Sequence, residues 1–495
     1  MKSKILIVVL SFNLFCAYAQ NVNQDAKQRA MEEQRAKLQE YRKTRDQAFE
    51  NFRAARNEAY AQMLSRKWVW FKLHQAQESP VINPIPPVVI PDDDQIKPIV
   101  PKPLPIVDLV PRPEPSPEPK PVDPILRREK GSRHASLCFD TVCHLIDIGN
   151  SPLPLLSGTD ESDVADMWLA LSDSQYDNMI ADLYGVKEAE SICDWSFVLM
   201  VKEFAYQVCD HKDSSEVLAA YILSQIGFDV RLARSDDGSI YLFLRPDCLV
   251  LGQPYYNVGG SRFYAFRKDT PSEIYFMEES YPGTKPVRMV PDGKIATDAM
   301  LLSSRPLKSS RYPEAACDAV VNISLIKAME NYPRCCFSGN PNTTWAFYAS
   351  VPMDIQVVKT VYPALQKAIE GKTNLEKVEV ILNFVQTAFE YGYDNEIWGG
   401  DRPFFAEETI YYPYSDCEDR AILFSRLVRD LVGLKVALVL YPNHLAAAVD
   451  FGEPYGDYID CRGKIYTICD PTYIGAPVGR TMPDMENESA FVMVL

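Results

Sequence analysis

The chain has few histidines and no C-x-x-C pair of cysteines. Five histidines occur among its 495 residues, and His444 is the only one beyond His211. No two cysteines have the C-x-x-C spacing that zinc sites and redox motifs use. The nearest approach, Cys138-x4-Cys143-His144, lacks a second half, so it predicts buried thiols or a local disulfide. We therefore predict no metal and no cofactor.

Positive charge and long apolar runs are also scarce. The chain has 51 Lys and Arg against 67 Asp and Glu, which gives a formal net charge of -16 at pH 7. This balance excludes nucleic acid and anionic membrane surfaces as partners. Beyond the N-terminal segment, no apolar run approaches the roughly 20 residues that a membrane-spanning helix needs. We predict no membrane span.

The first 19 residues have the pattern of a secretory signal peptide. Two lysines precede an apolar stretch, and residues 17–19 form a small-x-small cleavage site. Phe15 stands before Cys16 where a lipobox has a small residue, so lipidation is not expected. We predict an exported protein, periplasmic or secreted. Cleavage leaves eleven cysteines of the twelve, either five disulfides with one free thiol or several free buried thiols.

Residues 20–78 predict one long helix. They are rich in charged residues and alanine, and they are free of proline and glycine from residue 23 to residue 77. Apolar residues form a thin stripe, mostly at steps of three or four: Leu38, Tyr41, Ala48, Phe52, Ala55, Ala59 and Met63. A solvated helix, a loose helical hairpin and a coiled-coil dimer all fit this pattern. The last of these predicts oligomerisation through the helix.

Residues 79–127 form a proline-rich linker. Sixteen of the 37 prolines lie between residues 80 and 124. Proline at this density cannot sustain a helix or the interior of a sheet, and it favours an extended polyproline conformation. The composition therefore predicts a semi-rigid spacer between the helix and the globular part.

The remainder divides into two similar copies, residues 128–310 and 311–495. Residues 198–207 resemble 381–390, and 217–230 resemble 423–436, where an apolar helix ends at a glycine and a β-rich segment follows. The first copy lacks a counterpart of residues 391–414. The first copy also differs at the positions equivalent to Cys417, His444 and Asp470. The position of Cys417 holds His211, Lys212 or Asp213, that of His444 holds Ser239, Ile240 or Tyr241, and that of Asp470 holds Arg267 or Lys268. We predict that the first copy is chemically inert.

Those three residues of the second copy are a thiol, an imidazole and a carboxylate. Cys417, His444 and Asp470 follow one another at spacings of 27 and 26 residues. A thiolate nucleophile needs an adjacent base, and the base needs a third group that fixes its orientation. His444 is the sole imidazole of the second copy, so it is the candidate base.

The motifs around these residues resemble those of the transglutaminase-like superfamily, whose fold is related to papain-like cysteine proteases. The resemblance rests on Cys417-Glu418-Asp419-Arg420-Ala421, on His444 and on Asp470-Pro471-Thr472, and it covers about residues 370–478. It implies a Cys-His-Asp triad with Cys417 as nucleophile, His444 as base and Asp470 as the residue that orients the imidazole. It also implies an α+β fold with two transglutaminase-like domains, the first degenerate, after the helix and the linker.

Local patterns place Cys417 at a helix N-terminus. Turn residues precede it and apolar residues at helical spacing follow it, so the helix dipole would stabilise a thiolate or an oxyanion there. We interpret Asp416, Glu418 and Asp419 as structural capping residues. The preceding aromatic residues either line a substrate cleft or pack the loop before Cys417: Trp398, Phe404, Phe405, Tyr411, Tyr412 and Tyr414.

Two functions remain open at this point. The first is an exported thiol acyl-transfer enzyme, in which Cys417 attacks an amide of a protein or peptide substrate and forms a thioester. Hydrolysis is favoured over cross-linking because water is the default acceptor. The alternative is a non-catalytic binding or scaffold protein that presents two such domains on a helix–proline stalk. A Cys417 that merely fills the core would favour the alternative.

Overall fold

A computed structural model describes residues 2–91, 99–112, 114–125, 127–139, 142–295, 298 and 300–495. For residues 2–26, 30 and 139 only the backbone is described. The side chains of the predicted signal peptide therefore lie outside the described part. The fold is mixed α+β, as predicted. Among the helices of the described ranges, none combines the length and apolarity that crossing a bilayer requires.

Twelve α-helices are assigned within these ranges. They are α1 Lys2–Leu64, α2 Glu161–Leu171, α3 Asp177–Glu190, α4 Asp194–Cys209, α5 Lys212–Ile226, α6 Ile323–Glu330, α7 Thr344–Ser350, α8 Ile355–Ile369, α9 Asn374–Thr387, α10 Asp394–Ile397, α11 Ala406–Tyr411 and α12 Cys417–Leu431.

Twenty-one strands accompany them in the described ranges. They are β1 Val69–Lys72, β2 Lys102–Pro103, β3 Ile106–Val110, β4 His134–Phe139, β5 Val142–Asp147, β6 Val230–Arg234, β7 Ile240–Leu244, β8 Leu249–Val250, β9 Tyr256–Val258, β10 Ser261–Phe263, β11 Glu273–Phe276, β12 Leu302–Lys308, β13 Ala316–Asn322, β14 Cys335–Cys336, β15 Glu390–Tyr391, β16 Tyr414–Ser415, β17 Val436–Tyr441, β18 His444–Val449, β19 Asp457–Asp460, β20 Ile465–Cys469 and β21 Ala490–Val494.

The long helix docks on the first copy with a face other than the predicted stripe. Tyr60 and Leu64 are buried in the core against α2, and the indole N–H of Trp168 donates to Asn57 at 3.1 Å. Three stripe residues are exposed instead: Leu38, Tyr41 and Phe52. Because 57, 60 and 64 follow the helical spacing as well as the stripe does, apolarity alone could not identify the docked face. Oligomerisation through the exposed stripe stays a prediction.

The helix also ends earlier than predicted. It stops at Leu64 rather than near residue 78, and residues 69–72 form β1, which pairs antiparallel with β11 of the first copy. The aromatic and β-branched residues of Trp68-Val69-Trp70-Phe71 suit a strand better than a helix. The C-terminal part of α1 is therefore joined to the first copy and is not a free stalk.

The proline-rich linker is not a spacer. Residues 102–110 pair as β2 with β19 and as β3 with β21, both in parallel register. Further along, the backbone of Lys120 lies so close to Gly227 that a Cβ there would meet the Lys120 carbonyl oxygen at 2.0 Å. Prolines were compatible with these contacts because they lie at sheet edges, where no ladder hydrogen bond is lost. The linker thus binds both copies.

The second copy is built on a seven-stranded sheet that a single segment closes. The strand order is β2-β19-β20-β18-β17-β21-β3, so residues 102–110 pair with both edges of a five-stranded antiparallel core. Helix α12 packs against β17 and β18. Every residue of β18 is buried, which places its first residue, His444, inside the molecule.

The two copies share one continuous core and an element order. Helices α4 and α5 followed by the β6–β7 hairpin match α9 and α12 followed by β17–β18. The predicted boundary between residues 310 and 311 falls inside the hairpin of β12 and β13. The largest buried hydrophobic cluster contains side chains of both copies, from Tyr60 to Leu495. The copies are therefore packed together rather than strung apart.

The cysteines follow the second of the two predicted patterns. Cys138 and Cys143 form a disulfide across the β4–β5 hairpin, as one of the two interpretations of that motif predicted. The remaining described cysteines are free, among them Cys335, Cys336, Cys461 and Cys469. Several free buried thiols, rather than five disulfides, thus account for the odd count.

Candidate functional site

Cys417 is the first residue of α12. The parallel pair β15–β16 ends at Ser415, and Asp416 then occupies the N-cap position with extended backbone. Asp419 Oδ2 accepts the backbone N–H of Asp416 at 3.3 Å, which confirms a capping role for Asp419. Asp416 and Asp419 together form a capping box at this N-terminus, in line with the capping role predicted for both. The thiol lies where helix N–H groups and the dipole favour negative charge.

His444 and Asp470 meet at one end of two paired strands. A two-residue turn with Asn443 at φ 58° precedes His444, and Asp470 directly follows β20, which pairs with β18. His444 Nε2 and Asp470 Oδ2 are 2.8 Å apart. The other oxygen of Asp470 accepts the backbone N–H groups of Thr472 and Tyr473. Asp470 is thereby fixed and can fix the imidazole in turn.

The other ring nitrogen of His444, Nδ1, lies on the side of the ring away from Asp470. His444 Nδ1 is buried and has no hydrogen-bond partner within the described residues. The backbone N–H of the next residue, Leu445, is directed at the Cys417 sulfur. The structure therefore brings Cys417 beside β18 at the position of His444, with Nε2 engaged by Asp470 and Nδ1 unengaged. This is the division of roles that a thiol–imidazole–carboxylate unit requires.

The surroundings of Cys417 disfavour its thiolate form in this conformation. Burial and the neighbouring carboxylates of Glu418 and Asp416 raise its pKa well above the usual value, against the opposing effect of the Leu445 N–H. The thiol donates a hydrogen bond to Glu418 Oε2 at 3.1 Å. Nucleophilic chemistry thus requires a change at the site, because the thiolate is the reactive species.

Residues 80–91 of the linker, here called the strap, run between two segments that flank the site. The N–H of Ile82 donates to Asp401, and the carbonyl of Ile85 accepts the hydroxyl of Tyr391 at 3.1 Å. On the other side, the backbone at Val88 and Ile90 exchanges hydrogen bonds with Ile474, four residues beyond Asp470. The side chains of Cys417 and His444 are 0% exposed. The strap thus connects Asp401 and Tyr391 with Ile474.

Two residues that the sequence did not single out support the site. The side-chain amide of Gln386 on α9 donates to the carbonyls of Asp470, Tyr473 and Ala476, and its Oε1 accepts the Gly475 N–H. Tyr391 places its ring 5.3 Å from the Arg420 guanidinium. The sequence feature that could have indicated a role for Gln386 is its position as a polar residue in a largely apolar stretch of helix.

Replacing Gln386 by alanine is expected to loosen the Asp470 turn. The change removes the side-chain donor from the carbonyls of Asp470 and Ala476 and the acceptor of the Gly475 N–H, and each such loss costs about 1–3 kcal/mol before relaxation. We expect the free energy of unfolding to fall by about 3 kcal/mol in urea denaturation. Gln207→Ala, which removes an exposed amide on α4, is the control and should change it by less than about 0.5 kcal/mol. An equal effect of both changes would contradict the supporting role of Gln386.

A group of three buried carboxylates and one half-buried carboxylate, that of Asp401, lies at the start of α12. Its members, here called the carboxylate cluster, are Asp394, Asp401, Asp416 and Glu418. Burial raises the pKa of all four, that of Asp394 to about 6. Capping alone does not explain this concentration of charge, since Asp394 and Asp401 belong to the segment that the first copy lacks.

Two further buried acids on α11 give the stability a pH dependence. Burial raises the pKa of Glu407 to about 8 and that of Glu408 to about 7, and Glu408 forms an ion pair with Arg402. Folding raises these pKa values from about 4.5, the ordinary value of glutamate. The protonated forms therefore contribute fully to the free energy of unfolding below about pH 4.5. This contribution is lost as the pH rises through the folded values, toward pH 8.

We expect Glu407→Gln to remove part of this dependence. The amide oxygen can still accept the Asp354 N–H that Glu407 accepts, and it does not ionise. Urea denaturation should show the variant about equal to the parent at pH 5 and more stable by about 2 kcal/mol or more at pH 8. Glu396→Gln, on the exposed side of α10, should leave the pH profile unchanged. A parent-like profile for Glu407→Gln would contradict the assignment.

The aromatic approach packs the loop before Cys417. Phe404 and Phe405 are buried, and Tyr412 lies against Trp398 with ring centroids 5.1 Å apart. The Arg402 guanidinium stacks over the Trp398 ring at 4.3 Å. Of the two predicted roles, packing is the one that the structure confirms.

The first copy holds other side chains at the equivalent places. Lys212 begins α5 as Cys417 begins α12, and Ile240 begins β7 as His444 begins β18. Arg267 lies 3.3 Å from Glu216 and pairs with Asp269. No thiol and imidazole meet at these positions of the described structure, in line with an inert first copy, which stays a prediction.

Comparison of the chain with protein-family models, with curated proteins and with solved structures returned no match in any of the three.

Proposed function

We propose that this protein is an exported thiol acyl-transfer enzyme whose second copy is a transglutaminase-like domain. The observation that carries the proposal is the His444–Asp470 pair, 2.8 Å apart, with the second ring nitrogen unpartnered beside the helix N-terminus that holds Cys417. Either half of this arrangement is common in structural roles. The combination of a fixed imidazole, an unengaged ring nitrogen and an adjacent thiol suits acyl transfer.

The proposed reaction proceeds in two balanced steps. His444 Nδ1 takes the thiol proton, and the Cys417 sulfur attacks the carbonyl carbon of a protein or peptide amide. The C–N bond breaks, the amine leaves with the proton from His444, and a thioester remains on Cys417. Water then gives a proton to His444 and attacks the thioester, which releases a carboxylic acid and returns the thiol. Backbone N–H groups at the start of α12 are the candidate oxyanion donors.

The covered site makes the proposed enzyme a latent one. Substrate reaches Cys417 only after the strap leaves Tyr391 and Ile474, and this step also admits the solvent that a thiolate needs. The strap crosses the site as an extended chain, and its Ile85 carbonyl accepts a hydrogen bond from a residue near the nucleophile. We propose that a peptide substrate takes the same course.

A non-catalytic binding protein remains the second candidate. The observation that favours it is the complete burial of Cys417 together with its raised pKa, which is the usual condition of a structural thiol. On this account the strap is a permanent part of the fold. The two candidates differ in what happens when the strap is displaced.

Acyl-enzyme trapping separates them. The chain is treated with p-nitrophenyl acetate after the strap has been weakened by Ile82→Ser and Ile90→Ser, and intact and peptide mass spectrometry locates the acetyl group. We expect acetylation at Cys417, a burst of p-nitrophenolate and release of acetate on further incubation. Cys417→Ser and His444→Gln should each abolish the burst. A solvent-accessible Cys417 that stays unacetylated would support the binding protein and overturn the enzyme.

Export is part of the same proposal. It rests on the signal-peptide pattern of residues 1–19, whose side chains lie outside the described part, and the Cys138–Cys143 disulfide supports it. Expression with residues 1–19 intact, followed by N-terminal sequencing of the exported product, tests it. The expected N-terminus is Gln20; an uncleaved cytosolic product would contradict export.

A further inference from the structure

The carboxylate cluster has more negative charge than the surrounding protein neutralises. Single oxygens of Asp394, Asp401 and Glu418 all lie within 4.8 Å of one another. An oxygen of Asp416 also lies within 4.8 Å of one of Glu418. Glu418 is 0% exposed and Asp416 is 1% exposed, so water cannot screen the repulsion between their carboxylates. Four carboxylates at this separation repel one another strongly in a buried environment.

Nearby cations are already committed elsewhere. Arg402 forms an ion pair with Glu408, and Arg420 donates to Ser415 and to the carbonyls of Gln386 and Phe389. Arg334 reaches Asp401 only at 4.0 Å. Among the described residues, the cluster therefore lacks a close guanidinium or ammonium partner for Glu418 and Asp416.

An unpartnered oxygen within the cluster points to a ligand. Glu418 Oε1 is fully buried and accepts no N–H or O–H group of the described residues. Buried polar atoms are nearly always satisfied, so this oxygen requires an explanation. Asp394 and Asp401, by contrast, accept the backbone N–H groups of Arg402 and Ile82, which fix their orientation.

We propose that Asp394, Asp401 and Glu418, with Asp416 beside them, form a binding site for a divalent cation of the calcium type. Calcium binds oxygen ligands at 2.3–2.6 Å, so ligands on opposite sides of one ion are about 5 Å apart, which matches the cluster. Carboxylates without histidine select a hard cation rather than zinc. A bound ion would join the carboxylates of Asp394 and Asp401 to that of Glu418 on α12.

The site connects the segment that distinguishes the two copies to the candidate nucleophile. Asp394 and Asp401 come from residues 391–414, which have no counterpart in the first copy, and Glu418 directly follows Cys417. Bound cation would hold this segment against the first turn of α12. The same carboxylate of Asp401 accepts the strap N–H at Ile82, so the ion and the strap share a ligand. The inference does not depend on the proposed acyl-transfer chemistry, because it concerns binding alone.

Terbium luminescence and thermal unfolding test the site on the full chain. Terbium(III) replaces calcium in oxygen-rich sites, and Trp398, which ends α10, can sensitise its emission. We expect sensitised emission from the parent that excess CaCl2 suppresses. We also expect CaCl2 at a hundredfold excess over its dissociation constant to raise the Tm by about 3 °C.

Three variants make the result specific. Asp401→Asn and Glu418→Gln should lose the terbium emission and most of the calcium-dependent rise in Tm. Glu407→Gln, which neutralises a buried acid outside the cluster, should keep both. Glu418→Gln is expected to fold, because it removes a repelled charge at constant size, and circular dichroism without metal verifies this.

Two results would overturn the proposal. One is a parent Tm that neither CaCl2 nor MgCl2 changes at millimolar concentration, since the cluster would then hold protons instead of a cation. The other is an equal response of the parent and Glu418→Gln, since the ion would then bind elsewhere. A response to ZnCl2 alone would also contradict it, because it would place the metal on the Cys417 thiol. Failure of acetylation at Cys417 leaves these readouts unaffected.

Discussion

Weakening the strap is expected to speed the alkylation of Cys417 by about 100-fold. In the parent, iodoacetamide reaches Cys417 only through transient opening, because the residue is 0% exposed. Ile82→Ser and Ile90→Ser together remove two buried aliphatic side chains that hold the strap in place. Losing about 3 kcal/mol of their burial energy shifts the opening equilibrium by about two orders of magnitude.

The chain offers a matched control for this experiment. Val81 and Val89 are the immediate neighbours of Ile82 and Ile90, and they are 59% and 66% exposed. Val81→Ser with Val89→Ser changes the strap equally in composition but removes little buried surface, so its labelling rate should stay within about threefold of the parent. Peptide mass spectrometry must follow Cys417 separately from the other free cysteines. Equal rates in both double variants would show that the strap does not cover the site.

Replacing His444 by glutamine in the weakened-strap background is expected to lower the acylation rate about 1,000-fold. General-base catalysis contributes typically 10²–10⁴-fold, and His444 is the sole imidazole near Cys417 in the described structure. Glutamine keeps a polar side chain of similar length near Asp470, so the fold should survive. The measurement is the rate constant of p-nitrophenolate release at pH 7.

Two comparisons give this second prediction its meaning. His211→Gln removes the imidazole at the N-cap of α5, the equivalent helix start of the first copy, and should leave the rate within about twofold. Asp470→Asn keeps the size of the orienting residue but removes its charge, so it should cause an intermediate loss. A His444→Gln rate within tenfold of its background would mean that the imidazole does not act on the thiol.

Local patterns near Cys417, His444 and Asp470 could be predicted from the sequence. Turn residues before an apolar helical run fix the start of α12, and a two-residue turn fixes the start of β18. These signals lie within a few residues of the functional groups. The pairing of His444 with Asp470 then follows from the adjacency of β18 and β20.

Long-range packing could not be predicted in the same way. The proline-rich linker contains no periodic pattern, so nothing in it indicated that residues 102–110 pair with both sheet edges or that Ile82 contacts Asp401. The docked face of α1 depends on Asn57 and Tyr60 meeting Trp168, more than 100 residues away. Asp394 and Asp401 looked like ordinary loop acids until the fold buried them beside Glu418.

The pH dependence of Cys417 alkylation tests the central claim most directly. Labelling by iodoacetamide is followed from pH 4 to pH 10 in the weakened-strap variant, with and without His444→Gln. If Cys417, His444 and Asp470 form a unit, labelling persists at pH 5, and His444→Gln lowers it there by about tenfold or more while moving the inflection to about pH 8.5 or above. A single inflection at or above about pH 8.5 in both proteins would contradict the claim and leave Cys417 as a structural thiol.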